Sequence, residues 1–351
     1  MDNLTDLRKQ ISQINNEILQ LLNKRSTLVQ QIVTLKDEKG TDYYDPMREA
    51  EMLSEIFKEN NGPLPDELVK KVFLSIFHTA LQYMGISGER KLLVGASSEV
   101  QLPKLNEMFD IDPQNPIVIA GPCAVENFEY LDQVAKMLKD TGVKFIRAGA
   151  YKPRTSPYDF QGLKEEGLKI LHEVSKKYNL YSVTEVVDTR DVYLVQKYAD
   201  VLQIGARNMQ NFELLKEVGR TNKPIILKRG MNASINELIY AAEYIALQGN
   251  RNIILCERGI RTFETKTRNT LDISSIPIVK NETHLPIIVD LSHSLGRKDI
   301  VNQIAKAVLA VGADGIMVEV HPKPELALSD SKQQLNVDEF MGMLSAIGYI
   351  D

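Results

Sequence analysis

The sequence predicts an α/β protein: a (β/α)8 TIM barrel over residues 115–351, preceded by an all-α region of three helices. Apolar residues recur with helical spacing in the first region, whereas short continuous apolar runs alternate with amphipathic stretches from about residue 115. Continuous runs are typical of parallel strands covered by helices, and eight of them can close a barrel. A doubly wound open sheet is the alternative, but no glycine-rich phosphate fingerprint follows the first run. The runs are PIVIAG, KFIRAG, YSVTEV, VLQIGA, PIILKRG, NIILCERG, PIIVDLSH and GIMVEV.

The first predicted helix is long and has a coiled-coil-like apolar seam. Its apolar residues recur every three or four positions from Leu4 to Leu35. Arg25 interrupts the seam between Leu21 and Leu28. A charge at such a position is either a tolerated seam residue, paired or snorkelling, or a cation for an anionic ligand. The spacing alone favours the first interpretation, since polar seam residues commonly set register or oligomeric state.

Two shorter helices are predicted from about Pro46 to Lys58 and from about Pro65 to Met84, which completes a helical domain over residues 1–84. Three helices of unequal length cannot bury the long first seam, so we expect a second copy to cover it in a homodimer. Barrel contacts could extend the dimer to a homotetramer. Residues 85–114 are predicted as a linker, in which KLLVGA is open as a short extra strand.

Composition and charge exclude several classes of protein. The chain has 351 residues, 43% of them hydrophobic, and a net charge of −5, so no electrostatic footprint for nucleic acid is present. It has two cysteines, and neither a signal-like N-terminus nor an apolar run long enough to span a bilayer is seen. We therefore expect a cytoplasmic protein without a disulfide. Cys256, inside an apolar run, is assigned to the core.

Chemically active residues stand at the ends of the predicted strands. The C-terminal ends of all strands meet at one mouth of a barrel, so these residues are predicted to form a site. The alternative is that some of them, Glu185 and Glu257 above all, form ion pairs that only close the barrel top. In chain order the residues are Cys123, Arg147, Glu185, Arg207, Lys228, Glu257 with Arg258, His293 and Glu319.

The segment KPRTSP, residues 152–157, adds Lys152 and Arg154 to the mouth in a stretch stiffened by two prolines. So many cations require anions to neutralise them, and arginine matches phosphate and carboxylate in two-point contacts. Phosphorylated metabolites are therefore the predicted substrates.

A second subset of residues offers thiolate, imidazole and carboxylate donors for a divalent transition metal. From residue types alone this prediction is weak, because a lone cysteine near a strand end is more often a buried apolar side chain. The subset comprises Cys123, His293, Glu319 and Asp330.

The chain resembles the type I-beta 3-deoxy-D-arabino-heptulosonate 7-phosphate (DAHP) synthases over residues 115–351. Residues 1–84 resemble the helical chorismate mutase domain that some members carry at the N-terminus. The motifs that carry the barrel resemblance are GPCAVE at 121–126, KPRTSPYDFQG at 152–162, QIGARNMQN at 203–211, LKRG at 227–230, LCERG at 255–259, DLSHS at 290–294 and VEVHP at 318–322.

The resemblance implies condensation of phosphoenolpyruvate (PEP) with erythrose 4-phosphate to DAHP and phosphate, the first step of the shikimate pathway to aromatic amino acids. It implies metal ligation by Cys123, His293, Glu319 and Asp330, with Mn expected first and Fe, Co, Zn or Cu as alternatives. It implies catalytic roles for Lys152, Cys123 and His293, with a metal-bound water as the alternative proton donor to Lys152. The implied PEP ligands are Arg147, Arg207, Lys228 and Arg258, and the implied erythrose 4-phosphate ligands are Lys152, Pro153, Arg154 and Thr155.

The mutase resemblance implies binding of chorismate or prephenate and reverses the interpretation of Arg25, which becomes a cation for a substrate carboxylate, with Arg8 reaching in from the other subunit. Lys36 would face the ether oxygen as charge develops on it. Met84 stands where the family usually has Gln or Glu, and Gln82 lies two positions away, which leaves open whether the domain is catalytically active. Joined to the pathway's first enzyme, the domain could also provide feedback inhibition. The implied ligands are Arg8, Arg25, Lys36, Asp45, Arg48 and Glu49.

Two other functions are weighed against this one. A 3-deoxy-manno-octulosonate 8-phosphate synthase would use a five-carbon sugar phosphate on a similar barrel, but its corresponding loop reads closer to KANRS than to KPRTS. A metabolite sensor that has lost turnover is the non-enzymatic alternative, and the complete set of cations and metal donors argues against it.

Overall fold

The protein divides into two compact units, residues 1–91 and 92–351. The computed structural model describes residues 2–39, 46–83, 92–154 and 156–350. Among these residues, no helix has both the length and the apolar character needed to cross a membrane.

The first unit contains the three predicted helices, α1 Asp2–Lys39, α2 Pro46–Glu59 and α3 Asp66–Tyr83. Its small core includes Leu53 of α2 and Phe77 of α3. The predicted apolar seam of α1 is largely exposed in the single chain: Leu21, for instance, is 66% exposed. The helices therefore form as predicted, and one copy leaves most of the seam uncovered.

The second unit is a closed barrel of eight parallel strands in chain order, which confirms the predicted fold. The first strand pairs with the eighth from Ile117 opposite Gly315 to Gly121 opposite Glu319, and this pairing closes the sheet. The strands are β1 Ile117–Gly121, β2 Phe145–Arg147, β3 Tyr181–Glu185, β4 Val201–Ile204, β5 Ile225–Lys228, β6 Ile253–Glu257, β7 Ile287–Asp290 and β8 Gly315–Glu319.

Helices surround the strands, and several begin at a side-chain cap. Asn127 caps the helix after β1, and Ser234 with Glu237 forms a capping box at the helix after β5. The helices of this unit are α4 Leu105–Met108, α5 Phe128–Asp140, α6 Glu165–Tyr178, α7 Val192–Tyr198, α8 Phe212–Gly219, α9 Ile235–Ala246, α10 Ser275–Glu282, α11 Leu291–Leu295, α12 Val301–Ala310 and α13 Val337–Ala346.

The barrel is filled by side chains and closed at its N-terminal end. Phe109 packs edge-to-face on Phe145 and on Tyr181, with ring centroids 4.8 and 5.1 Å apart. Cys256 lies in the same interior cluster, as expected. Residues 92–114, predicted as linker, thus belong to the barrel unit, and the described part of KLLVGA, residues 92–96, contributes a bridge from Gly95 to Thr283. With one end plugged, the opposite end holds the mouth.

Candidate active site

A cavity of about 170 Å³ opens at the C-terminal ends of the strands. Among the described residues that line it are seven cations and three carboxylates, an excess of four positive charges. A larger depression of about 640 Å³ lies near the opposite end, but its Lys280 is already paired with Asp314 at 2.8 Å. The charge excess therefore makes the smaller cavity the candidate site for an anion. Its lining residues are Arg147, Lys152, Pro153, Arg154, Asp159, Glu185, Gln203, Gly205, Ala206, Arg207, Lys228, Arg258, Arg268, His293 and Asp330.

The four predicted metal donors converge beside this cavity. Donor atoms of Cys123, Glu319 and Asp330 lie within 4.8 Å of one another. His293 Nε2 lies 3.6 Å from Glu319 Oε1 and 3.7 Å from Asp330 Oδ2. Glu319 Oε1 is buried and accepts no hydrogen bond among the described residues, although Arg147 Nη1 lies 3.2 Å away. The four donors and this unsatisfied oxygen fit a divalent cation.

Asp290 orients His293 within the donor group. The carboxylate caps α11, accepting from the His293 backbone N–H at 2.9 Å, and its other oxygen lies 2.9 Å from His293 Nδ1. With the Nδ1 hydrogen donated to Asp290, the Nε2 lone pair faces Glu319 and Asp330. Burial lowers the pKa of His293 against the opposing effect of Asp290, which favours the neutral ring that binds a metal.

The thiol and the carboxylates of the donor group differ in the direction in which their surroundings shift the pKa. Burial and the nearby Glu319 carboxylate together raise the pKa of the Cys123 thiol to about 12. The pKa of Asp330 is lowered to about 2, because Arg268 and His293 outweigh the effect of burial. The carboxylate is thus ionised at neutral pH, whereas the thiol requires a bound cation to become a thiolate.

Buried ion pairs hold several cations of the cavity in place. Arg147 Nη1 lies 3.2 Å from Glu319 Oε1, and the Lys228 ammonium pairs with Asp290. Burial lowers the pKa of Lys152, but Cys123 and Glu319 raise it by more, so its ammonium stays protonated. Arg154 pairs with Asp159 at 3.3 Å and donates to the Ser329 hydroxyl. Ion pairs therefore hold Arg147, Lys228 and Arg154 in place around the cavity.

Glu185 and Glu257, both at strand ends, make different contacts. Glu257 pairs with Arg229 at 2.8 Å, and Arg229 also pairs with Asp272, so this carboxylate serves an ion-pair network away from the cavity. Glu185 lines the cavity, where a Cβ on Gly205 would lie 2.0 Å from its Oε1. Only glycine at position 205 therefore permits this placement of the Glu185 carboxylate.

Sequence reasoning missed several polar residues of the site, among them Asp159, which pairs with Arg154. Arg268, in the loop after β6, lines the cavity and lies 3.3 Å from Asp330 Oδ2. Gln203 of β4 also lines the cavity. Asp290 is the last residue of β7, so the strand-end rule could have found it, whereas no spacing pattern points to Arg268.

In the helical unit the predicted ligands are spread along two helices. Arg25 of α1 lies over the Phe77 ring, with its guanidinium carbon 4.9 Å from the ring centroid, and burial lowers its pKa. Arg8 is exposed on α1, which also carries Lys36. Arg48 and Glu49 lie on α2, where Arg48 pairs with Glu51 at 3.1 Å. The predicted positions Asp45, Met84 and, in the barrel, Thr155 lie outside the described residues.

Comparison with known proteins gives, for both units, the families that the sequence resembles. The family model "DAHP synthetase I family" matches residues 105–348. The chain belongs to this family. The family is divalent-metal dependent, in agreement with the group of donors at the mouth. The model "Chorismate mutase type II" matches residues 7–84, so the chain joins a DAHP synthase barrel to a chorismate mutase domain.

In sequence identity, the barrel is more similar to a heptonate aldolase than to an octonate aldolase. The phospho-2-dehydro-3-deoxyheptonate aldolase of Thermotoga maritima is 59% identical over 223 residues, 64% of this chain and 66% of that protein, slightly under two thirds of its length. The 2-dehydro-3-deoxyphosphooctonate aldolase of Methylococcus capsulatus is only 29% identical over 262 residues, 69% of this chain and 92% of that protein. Aldolases of the octulosonate type, the alternative function, are thus distant relatives of this chain.

Two solved Thermotoga maritima structures share the fold. A crystal structure of phospho-2-dehydro-3-deoxyheptonate aldolase (DAHP synthase) has a TM-score of 0.70 at 51% identity, covering 74% of this chain and 77% of that one. A truncated form of 3-deoxy-D-arabino-heptulosonate 7-phosphate synthase has a TM-score of 0.66 at 48% identity, covering 73% and 94%.

Replacing Asp290 by asparagine is expected to lower the free energy of unfolding by about 3–5 kcal/mol, because Lys228 would remain buried without a counter-charge. Urea denaturation measures this change. Asp290→Asn combined with Lys228→Met should recover most of the loss. As a control, Asp299→Asn breaks the exposed Arg297 pair and should change stability by no more than about 1 kcal/mol. Equal effects of the Asp290 and Asp299 substitutions would contradict the expectation.

Proposed function

We propose that the barrel condenses PEP with erythrose 4-phosphate to DAHP and phosphate. The observation that carries the proposal is the excess of positive charge around a small cavity that adjoins four convergent metal donors. Both substrates are phosphorylated anions, and the family match names the product. Holding two anions together in water is unfavourable, and the cations of the cavity offset their repulsion.

PEP is assigned to four cations of the cavity, Arg147, Arg207, Lys228 and Arg258, of which Arg207 is exposed. Arg147, Lys228 and Arg258 are almost completely buried, so their charges are weakly screened. Arginine forks suit the phosphate and the carboxylate of PEP. Burial lowers the pKa of Arg258, and a bound anion would favour its charged form.

Erythrose 4-phosphate is assigned to the loop after β2, with Lys152 and Pro153 near the aldehyde and Arg154 and Thr155 at the phosphate. Arg154 is partly exposed and is held by Asp159 and Ser329, so it faces the outer part of the cavity. The prolines at 153 and 157 limit the freedom of the loop and reduce the entropy lost on binding.

We assign Cys123, His293, Glu319 and Asp330 as the ligands of one divalent ion, with Mn first and Fe, Co, Zn or Cu as alternatives. When bound, the ion supplies Lewis-acid polarisation of the substrate aldehyde. Lys152 lines the cavity and stays protonated, so we assign it as the donor of a proton to the aldehyde oxygen as the methylene carbon of PEP bonds to the aldehyde carbon. Water then adds at the adjacent carbon of PEP, and inorganic phosphate leaves.

Chelation followed by metal add-back tests the reaction and the metal together. The chelated protein should release almost no phosphate from PEP and erythrose 4-phosphate, and Mn²⁺ or another divalent ion should restore release. Arabinose 5-phosphate in place of erythrose 4-phosphate should support little turnover. Full activity after chelation would sink the metal assignment, and no phosphate release with any divalent ion would favour the non-catalytic sensor.

Arg154→Ala should raise the KM for erythrose 4-phosphate at least about tenfold, since a charge-assisted contact to one substrate phosphate is lost. The KM for PEP should change far less, because the PEP cations lie elsewhere in the cavity. Steady-state kinetics with each substrate varied in turn measures both constants. Equal changes in the two constants would contradict the division of the cavity.

For the helical domain we propose binding of chorismate and prephenate at Arg8, Arg25, Lys36, Asp45, Arg48 and Glu49. Arg8 and Arg25 are 17 residues apart on α1, which separates them by about 26 Å at 1.5 Å per residue. One small ligand cannot contact both in a single chain, so Arg8 would come from a second copy. The exposed seam of α1 gives that copy an apolar face to cover, which supports a homodimer and leaves a tetramer open.

The same domain is proposed to sense the pathway's later metabolites and to inhibit the barrel. In a protein lacking residues 1–84, prephenate should no longer inhibit DAHP formation, and sedimentation should give a smaller assembly than for the full chain. The full-length protein is the control for both measurements. Unchanged inhibition in the shortened protein would rule out sensing by this domain.

A cytoplasmic location also remains a proposal. Cys123 and Cys256 are free, buried thiols, which suits a reducing compartment. Cell fractionation checks it, and recovery of the protein outside the cytoplasmic fraction would overturn it.

A further inference from the structure

Two consecutive glutamines, Gln333 and Gln334, lie directly behind the metal donors, yet neither belongs to the donor or cation sets. Both follow β8 and are buried, with exposed fractions of 6% and 0%. A buried primary amide requires several hydrogen-bond partners, and both side chains find theirs around the donor group.

Gln333 contacts one donor directly and another through Arg268. Its Nε2 donates to Glu319 Oε2 at 2.6 Å, so the other carboxylate oxygen, Oε1, is directed toward His293. Its Oε1 accepts from Arg268 Nη1 at 2.6 Å, and the same Nη1 lies 3.3 Å from Asp330 Oδ2. One amide thereby sets the orientation of two carboxylates.

Gln334 connects the loop that carries Cys123 to the loop that carries Asp330. Its Oε1 accepts from the backbone N–H of Cys123 at 3.0 Å, and its Nε2 donates to the carbonyl of Ser329 at 2.7 Å. Because Ser329 directly precedes Asp330, this amide couples the loop after β1 to the loop after β8.

Hydrogen bonds also fix the backbone of residues 330–335. Asp330 has φ +50°, a left-handed conformation that non-glycine residues adopt only when their surroundings impose it. The Gln333 N–H closes the turn onto the Asp330 carbonyl at 3.2 Å, and the Leu335 N–H donates to the Glu319 carbonyl at 2.8 Å. The glutamines are thus tied to the end of β8 and cannot move independently of the donors.

We infer that Gln333 and Gln334 are positioning residues for the metal site: Gln333 orients Glu319 and, through Arg268, Asp330, while Gln334 holds Cys123 and the turn of Asp330. The fourth donor, His293, is oriented separately by Asp290. The inference rests on the proposed metal site, since it assigns a role toward the ion and not toward the substrates.

The test uses full-length, metal-free protein with Gln333→Met or Gln334→Met, substitutions that keep side-chain length and remove the hydrogen bonds. Co²⁺ and Mn²⁺ affinities are measured by competition with a chelator, and thiolate-to-cobalt charge-transfer absorbance reports on Cys123. Each substitution should weaken metal binding by about 10–100-fold, the usual effect of losing a partner that orients a ligand. Gln334→Met should also weaken the thiolate-to-cobalt band.

Gln101→Met is the matched control, because Gln101 is exposed. It should bind both ions like the unaltered protein. Thermal unfolding of the metal-free variants identifies those that are folded, and if Gln334→Met does not fold, Gln333→Met decides. Unaltered affinity in the folded variants would overturn the inference.

A failure of the inference can be told from a failure of the proposed site. If the unaltered protein binds one ion and His293→Ala loses it while the glutamine variants bind normally, only the positioning role is wrong. If His293→Ala binds as tightly as the unaltered protein, the metal site itself is wrong, and the inference falls with it.

Discussion

The Asp290 carboxylate, fully buried at the end of β7, neutralises Lys228, caps the helix that carries His293 and accepts the Nδ1 hydrogen of that histidine. These contacts hold the pKa of Asp290 well below its usual value although burial opposes ionisation. A buried charge is tolerated only when it is paired and hydrogen-bonded, so the lysine, the imidazole and the carboxylate depend on one another. Asp290 thus contacts both His293, a proposed metal donor, and Lys228, a cation proposed to bind PEP.

A second carboxylate, at the end of the neighbouring strand β8, also lies between the proposed metal donors and the cations. Glu319 lies 3.2 Å from Arg147 and 3.6 Å from His293, and its second oxygen is held by Gln333. An ion bound by Glu319 would withdraw some of the negative charge that now faces Arg147, which would leave this arginine freer to attract an anion. Metal binding and substrate binding would thus be coupled electrostatically through Glu319 and Arg147.

The two units differ in how much of their apolar surface a single chain buries. The barrel buries both faces of its sheet, with Phe109 closing the N-terminal end, and gains its stability within a single chain. The helical unit buries little of its long first helix, whose apolar seam is about half exposed or more at every position from Leu4 to Leu35. A helix of this length obtains its stability from tertiary packing and not from propensity, which is why a second copy is the natural cover.

The sequence by itself determined the eight strands, the three helices and most of the charged side chains at the mouth, because continuous apolar runs and helical spacing are local properties and all strand ends of a barrel meet at one rim. Only the tertiary structure decided which of these side chains face the cavity. Glu257 turns to Arg229 while its neighbour Arg258 lines the cavity, and Arg268 reaches the site from a loop without any spacing pattern. Side-chain direction at a strand end and the path of a loop depend on contacts between segments far apart in sequence, and no local pattern encodes them.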